Sequence, residues 1–186
     1  RSTLFPYTTL FRSFNFRARS KVGASGIWQF MRSSGKLYMK IDGSVDERNE
    51  PLKATESAAK MLKSNFQMLE NWPLAVTGYN HGPAGVRRLV RKYQTDRLEE
   101  MIDVRKGRFG FASANFYASF LAALEAEKNA DKYYGLVYRE KPLEYQKLTL
   151  NRSINAKTLL DWFSGDLVQA KTFNPHLTSY FWKGYR

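Results

Sequence analysis

No cysteine occurs in the 186 residues, which excludes disulfides and thiolate metal sites. Only two histidines are present, His81 and His176. They lie in separate segments, so neither a metal cluster nor a Ser/His triad is expected. No apolar run approaches the roughly 18 residues that a membrane span needs. Acidic residues are also scarce: 17 against 30 basic ones give a formal charge of +13 and a pI near 9.9. Such a surplus implies a polyanionic partner, and nucleic acid, anionic lipid and a carboxylate-bearing cell wall all qualify. Nucleic acid is the weakest of the three. The basic residues are scattered, and no helix-turn-helix, ribonucleoprotein or zinc-finger pattern accompanies them. The densest cluster is Arg87, Arg88, Arg91 and Lys92, a helical stripe that serves equally well as a solvated face.

What is present argues for a folded chain. Hydrophobic residues at 43% and aromatics at 15% exclude disorder. The length suits one domain with a sizeable core, with or without a small appendage. Residues 1–13 stand apart, with no capping pattern, no helical period and no initiating Met. They resemble the translation of a sequencing adapter and are set aside from fold reasoning, together with any natural amino terminus they replace. Without Arg1 and Arg12 the charge is still +13 − 2 = +11.

Ser20 to Met31 is the most informative stretch. Gly23, Ala24, Ser25 and Gly26 let backbone pass close to a ligand or another segment. Ile27, Phe30 and Met31 then take the i, i+3, i+4 spacing of one helical face, with Gln29 on another side. The spacing predicts a helix to about Ser34; a Gly-rich turn before a core helix is the plainer reading of the same residues. Val45 to Pro51 reads as a charged loop leading into a helix from Leu52 to Asn71, whose inner face is Ala54, Ala58, Met61, Leu62 and Leu69. Pro73 opens another, closed by His81-Gly82-Pro83. Its Tyr79-Asn80 pair presents a phenol and an amide where the chain turns, or serves as a core tyrosine and a helix-ending asparagine. Val86, Leu89, Val90 and Tyr93 make one face of the next helix, and Asp96 can cap a short one through Ile102. Phe111 to Lys128 is expected to be the strongest amphipathic helix.

Five or six helices with short loops predict an all-α domain over residues 14 to about 135. After Gly135, alternation from Tyr145 to Arg152 suggests a strand. Short helices at Ala156–Phe163 and Asp166–Phe173 follow, so a small truncated α/β appendage is expected over 136–186.

Three stretches in fixed order carry a family likeness: Ser20 to Met31; Val45-Asp46-Glu47-Arg48 with Ala54-Thr55 and Ala58-Ala59; then Trp72, Leu74-Ala75, Tyr79-Asn80 and Gly82. Together they resemble the soluble lytic transglycosylase (SLT) catalytic domain, with its goose-type-lysozyme-like helical fold. Residues 136–186 resemble the region that precedes LysM modules in one branch of that family. The resemblance implies a periplasmic or envelope enzyme without cofactor or metal. It would cleave the β-1,4 bond between N-acetylmuramic acid (MurNAc) and N-acetylglucosamine (GlcNAc) in peptidoglycan and close a 1,6-anhydro ring. Any membrane association would come through a missing amino-terminal anchor.

Carried over by position, the resemblance implies that Ser20, Gln29 and Met31 line the sugar cleft. Tyr79 and Asn80 would face the catalytic acid. The family glutamate, in a Glu-Ser-x-Phe motif, falls at Phe11, inside the adapter-like segment, so the chain as written is expected to lack its proton donor. Glu47, Glu50 and Glu56 are the nearby substitutes, more simply read as loop or helix-surface charges. The family's Glu-Thr pair, four residues before a Tyr, is replaced here by Ser113-Ala114 before Tyr117. A non-catalytic peptidoglycan-binding protein is the alternative.

Overall fold

The computed structural model describes residues 15–103, 109–139, 141, 144 and 146–184. Among them the named elements are all helices, and β-pairing is confined to isolated bridges. The fold is therefore all-α, as the sequence predicts. The chain divides into two contact units: residues 1–59 with 143–186, and residues 60–142. None of the described helices is long and apolar enough to cross a membrane.

In the first unit the helix expected from Ile27 to Ser34 shrinks to α1 (Arg32–Gly35). Gly26 and Gln29 take left-handed φ values of 79° and 50°, which a helix cannot absorb. The apolar triple therefore splits. Phe30 is buried, Ile27 half-buried and Met31 exposed. A short 3-10 turn, Glu47–Asn49, leads into α2 (Pro51–Leu69). Pro51 takes a first-turn position where its missing N–H costs nothing, and the Glu50 carboxylate accepts from the amides of Leu52 and Lys53. The unit boundary falls within α2. On its first-unit part, Ala54, Ser57 and Ala58 are buried at three-to-four spacing, as the sequence pattern requires.

The carboxy-terminal residues of this unit form α8 (Ala156–Trp162), α9 (Leu167–Phe173) and α10 (Ser179–Trp182). Each has a side-chain cap, from Asn155, Asp166 and Thr178 respectively. The strand expected over Tyr145–Arg152 does not form among the described residues. Alternation alone cannot make a strand where no neighbour completes its ladder. Further along, residues 176–178 join the loop at residues 43–46. The amide of Asp46 donates to the His176 carbonyl (2.7 Å), that of Thr178 to Ser44 (3.0 Å), and the Thr178 hydroxyl to the Gly43 carbonyl (2.6 Å).

Among the described residues the named elements of the second unit are all helices. It contains the rest of α2, then α3 (Trp72–His81), α4 (Pro83–Tyr93), α5 (Leu98–Asp103), α6 (Phe111–Lys128) and α7 (Ala130–Tyr134). Asn71 caps α3 by accepting from the amide of Leu74 (3.1 Å), and Leu74 to Gly78 are buried without interruption. A helix hydrophobic all round belongs inside, and α3 packs on both α4 and α6. The core comprises Leu74, Val86, Leu98, Met101, Phe109 and Ala114. Gly82, at φ 85°, ends α3, and Pro83 starts α4 immediately. Arg87, Arg88, Arg91 and Lys92 are all exposed, which is the solvated-face reading of that cluster. Helix α6 has the expected bounds but not the expected single apolar face: Phe120, Leu121 and Leu124 are exposed. Its three-to-four series is diluted by Ala114, Tyr117, Leu121 and Ala122 on other sides.

Candidate active site

The loop at Ser20–Met31 owes its shape to a buried polar centre. Arg48 is 4% exposed, and its guanidinium pairs with both oxygens of Asp46 (2.7 and 2.8 Å). A remaining nitrogen donates to the carbonyls of Gly23 and Phe30, both at 2.9 Å. Ser25 Oγ donates to Asn49 Oδ1 at 2.7 Å. A Cβ at Gly26 would sit 1.7 Å from the Arg48 carbonyl oxygen, so this position requires glycine on space as well as on φ. Burial alone would raise the Asp46 carboxyl, but the Arg48 hydrogen bonds and charge outweigh it and hold it below its ordinary value.

Around this centre the expected ligand residues are already partly engaged. Ser20 Oγ accepts from the amide of Ala24 (2.9 Å), closing the loop. The Gln29 side-chain amide donates to the carbonyls of Gly26 (2.7 Å) and Ala18 (3.3 Å). Met31 is exposed. Trp28 Nε1 donates to Thr55 Oγ1 at 2.8 Å, which fixes an indole that the sequence reading left unassigned. Its signal was an aromatic inside a small-residue loop.

The second group belongs to the other unit, at the carboxyl end of α3. Tyr79 stacks on Phe116 (centroids 6.5 Å apart, planes at 10°), and burial pushes its phenol far above the ordinary value. It stays protonated, a hydrogen-bond donor at physiological pH. Asn80 is exposed, and its Oδ1 accepts from Ser113 Oγ at 3.1 Å. Ser113 Oγ also lies 3.1 Å from His81 Nδ1. The His81 ring meets Phe109 edge-on at 5.4 Å. The sequence reading expected no Ser/His triad and named no serine as a partner of His81; α6 brings Ser113 beside it, a pairing 32 residues apart that no local pattern announces.

Ser20, Gln29 and Met31 thus cluster on the loop of one unit, and Tyr79 and Asn80 adjoin on a helix end of the other. None of the five lines the large crevice of the first unit, about 1970 Å³, whose walls come from residues 40–53 and 146–184. The three substitute carboxylates already have structural work. Glu47 accepts from the Lys40 amide (2.6 Å), Glu50 caps α2, and Glu56 pairs with Lys53 (3.7 Å). Phe11 lies outside the described residues.

A helical chain with a small-residue loop braced by a buried Asp-Arg pair, and a Tyr-Asn pair at a helix end, corresponds to a known domain. Residues 13–102 match the model of the transglycosylase SLT domain family, which the chain resembles over that stretch. It is 31% identical over 166 residues, 87% of its length, to membrane-bound lytic murein transglycosylase D of Escherichia coli strain K12. The same identity and coverage hold for the protein of that name in Escherichia coli O6:H1 strain CFT073. The chain spans 36% of the length of these relatives.

Proposed function

We propose that this chain derives from a peptidoglycan lytic transglycosylase of the cell envelope or periplasm. Residues 14–135 would be its catalytic domain and residues 136–186 part of a following region. The observation that carries the proposal is the SLT match over residues 13–102, which spans the loop and the Tyr-Asn pair alike. In this reading Ser20, Gln29 and Met31 line the sugar cleft. Tyr79 and Asn80 face the catalytic acid, and the protonated Tyr79 phenol orients that acid and stabilises charge at the reacting sugar.

The reaction needs one glutamic acid. It protonates the glycosidic oxygen as the MurNAc–GlcNAc bond breaks; its carboxylate then takes the proton of the muramyl C6 hydroxyl as O6 bonds to C1. Water is not consumed, so the second carboxylate of ordinary glycosidases is unnecessary. The acid position is Phe11, a side chain with no proton to give. Losing a general acid removes at least ~100-fold in rate. We expect the chain as written to release almost no 1,6-anhydromuropeptides from purified sacculi, and the double variant Phe11→Glu, Arg12→Ser to release them. Comparable release by the unaltered chain would refute the placement of the acid. A second reading, a non-catalytic peptidoglycan binder, draws on the engagement of Glu47, Glu50 and Glu56 elsewhere. It predicts sacculus binding without soluble products from both chains.

A further inference from the structure

A serine hydroxyl has one proton to donate. At Ser113 that proton goes to Asn80 Oδ1, so toward His81, 3.1 Å away, the same oxygen can only accept. The imidazole must then carry its proton on Nδ1. Several features hold the ring in place for this. Phe109 packs against it edge-on, and Gly85 leaves the space it fills, since a Cβ there would lie 2.8 Å from His81 Cδ2. Burial, with the charge of Arg88, keeps the imidazole below its ordinary pKa, so at neutral pH it has a single N–H, which Ser113 takes up. Ser113 itself is only 8% exposed, whereas Asn80 is exposed. With Oδ1 turned to the buried hydroxyl, the carboxamide has its NH2 group left to offer outward.

We propose that Ser113 is a positioning residue: held between His81 Nδ1 and Asn80 Oδ1, it fixes the Asn80 carboxamide so that its amide N–H groups meet an acceptor oxygen of the glycan. The inference rests on the peptidoglycan reading above and adds to it an element of orientation that comes from α6. It needs no catalytic acid, so binding tests it on the chain as it stands.

The probe is a soluble tetrasaccharide of alternating MurNAc and GlcNAc, titrated into the full chain. One lost hydrogen bond predicts that Ser113→Ala raises Kd about 10-fold, while Ser113→Thr, which keeps the hydroxyl, stays within about 2-fold of the parent. Asn80→Ala should weaken binding similarly, and the Ser113→Ala, Asn80→Ala double variant should be no weaker than Asn80→Ala alone. That non-additivity marks action through Asn80, which a merely structural role would not give. Nitrogen NMR of the parent chain provides an arm independent of folding in the variants: His81 should be the Nδ1–H tautomer at neutral pH. Unchanged binding by Ser113→Ala, additive losses, or an Nε2–H imidazole would each overturn the proposal. A parent chain that takes no tetrasaccharide would sink the peptidoglycan reading, and this one with it; binding by the parent with any of those three results would sink the role of Ser113 alone.

Discussion

In the first unit the buried side chains beside the Ser20–Met31 loop are Ser25, Asp46, Arg48 and Asn49; in the second the buried centre is Leu74, Val86, Leu98, Met101 and Phe109. One neighbourhood is held by directional bonds between polar groups that have left water, the other by apolar area that has done the same. The distinction matters because the two fail differently. An apolar core tolerates changes that conserve volume, whereas a buried polar centre tolerates only changes that conserve every bond. It also suits what each unit presents. A glycine-rich loop has no helical ladder to define it, so Arg48 must fasten its carbonyls. The Tyr79-Asn80 pair sits at a helix end whose backbone position the core already fixes.

The largest effect should come from Arg48→Ala. It strands the Asp46 carboxylate and removes the donor to Gly23 and Phe30, and breaking one half of a buried ion pair costs about 3–5 kcal/mol. Urea denaturation measures it. Arg48→Lys should recover little, because one ammonium cannot reproduce a fork that reaches the carboxylate and two carbonyls. A loss below about 1 kcal/mol for Arg48→Ala would put the centre among surface pairs and erase the contrast.

Met101→Ala in the second unit should cost about 2–5 kcal/mol, with a lower floor, since Met101 is fully buried and the cavity left behind can partly collapse. The sharper comparison is Met101→Leu, expected to cost less than about 1.5 kcal/mol. The conservative exchange is thus tolerated in one unit and not in the other. If Met101→Leu proved as harmful as Arg48→Lys, the second core would be as exacting as the first.

This contrast also explains what could be read in advance. Helices α2 and α4 were legible from an apolar face that repeats along them, α3 and α6 from apolar residues that run through them, and Pro or Gly marks an end of each. The loop was not. The spacing of Ile27, Phe30 and Met31 mimics one turn of helix, and nothing local reveals that Gln29 adopts a left-handed φ of 50°. Asp46 and Arg48 could be quoted as part of a family pattern, but their burial depends on carbonyls some 20 residues away, which no periodicity reports. The roles of Ser20, Gln29, Met31, Tyr79 and Asn80 came from resemblance alone. Of the Asn80–Ser113–His81 cluster, each residue could be named from the sequence, Ser113 only as a departure from the family pattern, but not their contact, because the serine arrives on another helix.

Acid should separate the units by a smaller margin. His81 in the second unit is held below its ordinary pKa by burial and by Arg88; His176 in the first is held below it by burial, against the opposing charges of Glu50 and Glu47. Both imidazoles are therefore neutral in the folded chain where the unfolded chain begins to protonate, near pH 6.5. Above that point neither state binds the proton and stability is full. As pH falls through it, the unfolded chain binds protons first, so stability declines until each folded imidazole titrates. Asp46 has the depressed carboxylate's pattern. Its contribution is present above the unfolded value near 3.8 and is lost as pH falls through the lower folded one, and it belongs to the first unit only. Urea midpoints across this range should show a decline setting in near pH 6.5 and a further one below about pH 4. His176→Gln should flatten part of the first decline and leave the second, while Asp46→Asn should shrink the second, to which the lowered carboxyls of Asp42 and Glu99 also contribute, and leave the first. A profile level from neutral pH down to about 4 would mean that the buried imidazoles contribute nothing, and the two units would then differ in acid through their carboxylates alone, the buried Asp46 first among them.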